Sequence, residues 1–169
     1  VYIGTFSKSI APAIRIGFMV LPEPLMEHYE QKYTFFSSTV SRIDQAVLDA
    51  FIRDGAFERH LNRMRKIYKE KHEVLLEELR YLEKDFLLSG ENAGLHVLLT
   101  DRRGRKEQML KAAAAKEGVR IYGMSEALVR PLAEAEKFPA TLLLGFGGLE
   151  TQEIRKGVAL LRKAFARFT

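Results

Sequence analysis

The side chains able to do chemistry gather in the first eighteen residues. Val1-Tyr2-Ile3 is apolar, and Gly4-Thr5-Phe6-Ser7-Lys8-Ser9 mixes small and hydroxyl side chains with one lysine. Ile14-Arg15-Ile16-Gly17-Phe18 then returns to an apolar run interrupted by an arginine. The pattern reads as the end of a buried strand, a tight loop, and a second strand from Ile16 to Leu21. A lysine held between two buried strands is costly to desolvate, and burial lowers the pKa of an amine. A neutral amine there can attack an aldehyde and form a Schiff base. Thr5 and Ser7 offer hydroxyls, and Arg15 offers a planar fork suited to phosphate. Lysine, hydroxyls and arginine in this order describe a seat for pyridoxal phosphate. The plainer alternative is a surface loop with a solvated Lys8; the coincidence of four features favours the seat.

Gly4-Thr5-Phe6-Ser7-Lys8, followed by Pro12-Ala13-Ile14-Arg15-Ile16-Gly17, resembles the lysine loop of fold-type I aminotransferases. The resemblance implies that Lys8 is the Schiff-base lysine, that Thr5 and Ser7 are phosphate hydroxyls, and that Arg15 is the phosphate arginine. A second block comprises Asp44-Gln45-Ala46, Phe51-Ile52-Arg53-Asp54-Gly55 and Arg59-His60-Leu61-Asn62-Arg63-Met64-Arg65-Lys66-Ile67-Tyr68. It resembles the aminotransferase-like domain of MocR-type bacterial transcription regulators, a branch of the GntR superfamily. Those proteins join an N-terminal winged helix-turn-helix to this domain. Asn62 stands where they often carry another arginine.

The resemblance implies a small-molecule amine or amino-acid effector and a homodimeric, cytoplasmic parent. DNA would be contacted only through the N-terminal domain, and no membrane is involved. The alternative is a working aminotransferase acting on an amino acid, with Lys8 as Schiff-base lysine and then proton shuttle. A third possibility is a folded module without activity of its own. In aminotransferases the segment similar to Leu142-Leu143-Leu144-Gly145-Phe146 carries an arginine that grips the ligand carboxylate. The aligned residue here is Leu143, which cannot pair with a carboxylate. Arg130 is near enough in sequence to substitute. His96 begins a strand that in the family faces the substrate cavity, and a solvent-facing histidine is the equal alternative.

The elements around these residues follow from length, composition and periodicity. The chain has 169 residues, 47% of them hydrophobic, enough for a real core. Its net charge of +5 comes from 27 basic and 22 acidic side chains. The two signs are interleaved, so charge does not argue for nucleic-acid binding. Cysteine is absent, which excludes disulfides and thiolate metal sites. No apolar run has the length of a membrane span. Val1 falls inside an expected strand, and there is no initiator methionine. The expectation is therefore the C-terminal part of a longer protein, with the ring-stacking and pyridine-pairing groups of the cofactor site upstream. The fragment alone is expected to bind the cofactor weakly or not at all.

Pro24 suits the first turn of a helix from Leu25 to Tyr33. Thr34 to Thr39 is a loop of aromatic and hydroxyl residues. Ser41-Arg42-Ile43-Asp44 starts a helix in the manner of a capping box, with Ile43, Val47, Leu48, Phe51 and Ile52 as its buried side and Gly55 as its left-handed stop. A long helix follows, with Phe57, Leu61, Met64, Tyr68, Leu75, Leu79 and Leu82 at three- and four-residue steps. Lys71 occupies an apolar position of that stripe and is expected to snorkel. His60 reads as an ordinary helix histidine, with no metal-ligand partner at i+4. Strands are expected at Phe86–Leu88, Leu95–Thr100, Val119–Tyr122 and Thr141–Phe146. A helix between the middle two closes at Gly118, and Thr151 caps the last helix. Gly157 inside it suggests close packing, since glycine there costs about 1 kcal/mol relative to alanine. The fold class is α/β: the small domain of a fold-type I aminotransferase, a small open sheet covered by helices on one face. A helical and two-strand remnant of the large, cofactor-binding domain precedes it, with residues 1–56 assigned to the remnant and 57–169 to the connecting helix and small domain.

Overall fold

The structure, a computed structural model, describes residues 1–33, 35–92, 94–127 and 138–168. It divides into two compact units, Val1–Lys66 and Ile67–Thr169. The division falls inside one long helix, ten residues beyond the boundary expected from the sequence. The first turns of that helix pack with the N-terminal elements, where Phe57 meets Phe6 and Phe51 at ring-centroid distances of 5.9 and 6.2 Å.

In the first unit, strands β1 (Tyr2–Thr5) and β2 (Gly17–Val20) pair antiparallel with Tyr2 opposite Val20 and Thr5 opposite Gly17. Helix α1 (Glu23–Tyr33) follows directly. Helix α2 (Arg42–Arg53) begins at Ser41, whose hydroxyl accepts from the amides of Ile43 and Asp44. Gly55, at φ 67°, takes the left-handed turn that ends it. Helix α3 (Ala56–Leu79) starts immediately afterwards.

Two expectations for this unit are corrected. The strands are not buried: Val1, Tyr2, Ile3, Phe18, Met19 and Val20 are all exposed, and only Ile16 at the loop exit is covered. A two-stranded ladder cannot hide both of its faces. The apolar side of α2 is likewise mostly open, with Leu48 buried but Ile43, Val47 and Ile52 exposed. Periodicity identified the apolar side of that helix, but it carries no information about whether anything covers that side.

The second unit is a four-stranded sheet with one helical layer. Its strands are β3 (Phe86–Ser89), β4 (His96–Asp101), β5 (Tyr122–Gly123) and β6 (Thr141–Gly145), in spatial order β3-β4-β6-β5, every neighbouring pair antiparallel. β4 and β5 therefore run parallel, joined by helix α4 (Glu107–Lys116), and β6 is inserted between them. The last helix, α5 (Thr151–Phe165), lies with α4 and the end of α3 on the same apolar layer. Alternate residues of each strand point into it: Phe86, Val97, Leu99, Leu142 and Leu144 meet Leu75, Leu79, Leu110, Ile154, Val158, Leu161 and Phe165, all buried. Burying each such side chain contributes about 1.5–3 kcal/mol, so this layer dominates the unit's stability. The expected small open sheet covered on one face is what the chain forms.

Three local details differ from expectation. β5 starts at Tyr122, because the Val119 amide is used to close α4 on Ala114 O at 3.0 Å. α5 is capped by Glu150 in a reciprocal box with Glu153, so Thr151 is its first residue. A Cβ on Gly157 would meet nothing within 4 Å, so no close approach requires a glycine there. Lys71 does snorkel: its stem is buried and its Nζ reaches Glu150 Oε1 at 3.3 Å.

Candidate functional site

The lysine loop is closed at its base by β-type pairing and organised inside by one helical turn. Phe6 N donates to Ile16 O at 2.9 Å, extending the ladder past Thr5 and Gly17. The amides of Ser9 and Ile10 both converge on Phe6 O, at 3.2 and 2.8 Å. Lys8 thus sits in the middle of a single turn whose first residue is pinned to the opposite strand. Phe6 is held between Phe18 and Phe57, with ring centroids at 5.4 and 5.9 Å. Pro12–Ile14 forms a short 3₁₀ turn on the return path. It ends at Arg15, whose φ of 48° and ψ of 29° make it the one non-glycine residue with positive φ among those described. That conformation costs a non-glycine residue about 1–2 kcal/mol, and such costs are characteristic of functional positions.

The four candidate residues occupy this one loop. Thr5 stands at its entry, Ser7 and Lys8 on the helical turn, and Arg15 at its exit, two residues before the partner of Thr5. The Thr5 hydroxyl is already engaged: it donates to Ile16 O at 3.2 Å and accepts from Ser7 N at 3.2 Å. It stiffens the loop, and could serve a phosphate only by giving up the bond to Ile16. Lys8 and Arg15 are exposed and enter no ion pair among the described residues. The burial expected for Lys8 is therefore corrected, since the strands flanking it cover nothing. An amine, a guanidinium and the Ser7 hydroxyl, all on one loop and uncommitted to other charges, suit an aldehyde bearing a phosphate ester. An open hollow of about 380 Å³ lies by the loop exit, lined by Ile16, Gly17, Val40 and Leu48 among others, and includes neither Lys8 nor Arg15. Among the described residues no cluster could hold a metal ion.

His96 and Leu143 share the sheet face opposite the helical layer. Leu143 lies across from Leu98 and from Tyr122, and His96 across from Gly145. Both are half-buried. The same face carries Thr100 and Thr141, whose hydroxyls are bonded at 3.1 Å. Its centre is thus aliphatic where a carboxylate-binding site would need a cation. Arg130 lies outside the described residues.

The sequence reads His60 as an ordinary helix histidine but does not disclose its partner. His60, on α3, places Nε2 3.1 Å from the carbonyl of Ser9, next to Lys8. The only available signal was its place three residues after Phe57, which puts both on one face of a helix.

Comparison with known proteins places these features in context. A family model described as aminotransferase class I and II matches residues 1–158. An uncharacterised HTH-type transcriptional regulator of Bacillus subtilis, YhdI, is 39% identical over 98% of this chain, which spans 34% of that protein. The probable rhizopine catabolism regulatory protein MocR of Rhizobium meliloti is 31% identical over 98% of this chain, which spans 33% of it. The chain thus covers about a third of the length of these curated relatives. Among solved structures, a kynurenine aminotransferase of Pyrococcus horikoshii in complex with PMP superposes with a TM-score of 0.82 at 24% identity, over 99% of this chain and 40% of that one.

Proposed function

The chain belongs to the aminotransferase class I and II family, and from that premise we propose that it is part of the pyridoxal-phosphate-binding, effector-sensing domain of a MocR-type transcription regulator. The observation that carries the proposal is the near-complete alignment with HTH-type regulators at 31–39% identity. The parent is a cytoplasmic homodimer that contacts DNA through a winged helix-turn-helix N-terminal to this segment. Residues 1–56 belong to its large domain, and residues 57–169 form the connecting helix and small domain. Among the described residues no helix is long and apolar enough to cross a membrane.

When bound, pyridoxal phosphate supplies an aldehyde that condenses reversibly with amines. Lys8 offers the amine that anchors it, and the short turn from Phe6 to Ile10 fixes where that amine starts. Arg15 and Ser7 supply charge and a hydroxyl to the phosphate, and Thr5 keeps the loop closed around them. Lys8 would hold the cofactor through its aldehyde, and an effector amine would compete for the same group; the resulting bias on a domain equilibrium would be no larger than the effector's difference in affinity for the two states.

The aminotransferase reading is favoured by the fold similarity, and Leu143 opposes it. Transamination needs the α-proton of the substrate aimed at the lysine, and orientation is a large part of the rate. An arginine–carboxylate pair supplies that aim, and leucine cannot. The test gives the full-length protein a panel of amines and amino acids with a keto-acid acceptor, and follows turnover and operator binding together. Altered operator binding with little turnover is expected. Fast multiple turnover with unchanged operator binding would establish the enzyme instead. Leu143→Arg should raise affinity for α-amino carboxylates several-fold relative to the matching amines, read by cofactor absorbance.

A further inference from the structure

We propose that His60 is a positioning residue for Lys8, acting through the backbone of the lysine turn. A carbonyl oxygen only accepts hydrogen bonds, so the contact between His60 Nε2 and Ser9 O at 3.1 Å requires the proton on Nε2. This role rests on the proposal that Lys8 anchors the aldehyde cofactor.

The geometry explains why such a tie is needed. Residues Phe6 to Ile10 make one helical turn and no more, and a lone turn has too few bonds to offset the ordering it demands. Its first end is tied to β2 through Phe6 N and Ile16 O. Its far end, the carbonyl of Ser9, has no later turn to donate to it, because the chain leaves through Ala11 and Pro12. His60 fills that vacancy from a residue 51 positions away. The imidazole is itself steadied against Phe51, with ring centroids 6.4 Å apart. Phe57, one turn earlier on the same face of α3, packs on Phe6 at 5.9 Å. The helix therefore grips the lysine turn at both ends, one side chain on Phe6 and one on Ser9, with Lys8 between them. The sequence block that set this chain apart beyond the lysine loop thereby acquires a physical task.

The experiment uses full-length protein as wild type, His60→Phe and His60→Gln. Phenylalanine keeps a ring against Phe51 and removes the donor, whereas glutamine restores an N–H. Two quantities are read. One is amide hydrogen exchange at Ser9 and Ile10 relative to the amides of α2. The other is the rate at which pyridoxal phosphate is trapped on Lys8 by borohydride, located by peptide mass mapping. Loss of one net hydrogen bond corresponds to about a fivefold change in opening. His60→Phe should therefore speed exchange at Ser9 and Ile10 about fivefold against α2 and slow trapping several-fold, with His60→Gln recovering both. Unchanged loop exchange, or equal acceleration throughout the unit, overturns the positioning role. So does altered exchange with trapping as in wild type. If wild type traps no pyridoxal phosphate on Lys8, the cofactor proposal fails, and the exchange data still decide whether His60 holds the turn.

Discussion

Arg15 is asked to do two things that a single substitution can separate. Its backbone is left-handed, at φ 48°, which costs a side chain with a Cβ about 1–2 kcal/mol. Its guanidinium is proposed to hold a phosphate. In Arg15→Gly the backbone cost disappears, while glycine's greater freedom in the unfolded chain takes back about 0.5–1 kcal/mol. The net change in stability is therefore a gain between zero and about 1.5 kcal/mol. Arg15→Ala keeps the strained conformation and is the less stable of the two by about that amount. Both lose the phosphate contact. A hydrogen bond to a charged group contributes about 1.5–3 kcal/mol; Arg15 is exposed, so solvent screening puts it at the lower end, close to a tenfold change in affinity. The assay is absorbance titration of the full-length protein with pyridoxal phosphate, paired with thermal melts of the cofactor-free variants. Cofactor binding by Arg15→Gly within a factor of two of wild type would remove Arg15 from the phosphate site. An alanine variant more stable than the glycine variant would show that the left-handed residue stores less strain than the entropy that glycine gives back.

Three further outcomes follow from the second unit. Asp101 is buried and accepts from the amides of Arg103 and Arg105 at 3.0 and 2.8 Å and from Arg105 Nε at 2.6 Å; Asp101→Ala strands a buried guanidinium lying on Phe86 and should cost about 3–5 kcal/mol in urea denaturation, a loss below about 1 kcal/mol refuting it. Gly157→Ala should raise stability by roughly 1 kcal/mol, since the site is helical and open; a lower melting temperature would contradict that. Glu117 is held below the usual carboxylate range, chiefly by its hydrogen bond from Lys163, with the Arg167 guanidinium adding to this, and its contribution is therefore present above about pH 4.5 and lost as pH falls through its lowered value. Acid titration of unfolding should show a smaller acid slope in Glu117→Gln than in wild type; identical slopes would discard the pair.

What the sequence disclosed depended on whether the controlling interaction was local. Gly55, Ser41 and the alternation in β4 and β6 act within a few residues, and each element appears where they place it. The order of hydroxyl, lysine and arginine in the loop was legible for the same reason. Burial in the first unit was not, because Ile43 and Val47 are apolar whether or not anything covers them. Thr5 seemed a free hydroxyl until its bond to Ile16, eleven residues on, came into view. His60 was invisible as a loop anchor, since its partner lies 51 positions away. β5 was misplaced by three residues because an edge strand is defined by what it pairs with, here Leu142 and Leu143.

The insertion of β6 between β4 and β5 also sets a clock. A nascent chain leaving the ribosome can close the β3–β4 hairpin early, since its strands are neighbours in sequence. It can then wind α4, but among the described residues β5 pairs with β6 alone, which has not yet been synthesised. Until Thr141–Gly145 emerge, β4 presents an unpaired edge rich in valine and leucine, the kind of edge that recruits foreign strands. Among the described strands of this sheet, the one made latest is thus the one that joins its two halves, and slow or interrupted translation just before it leaves the unit at its most aggregation-prone.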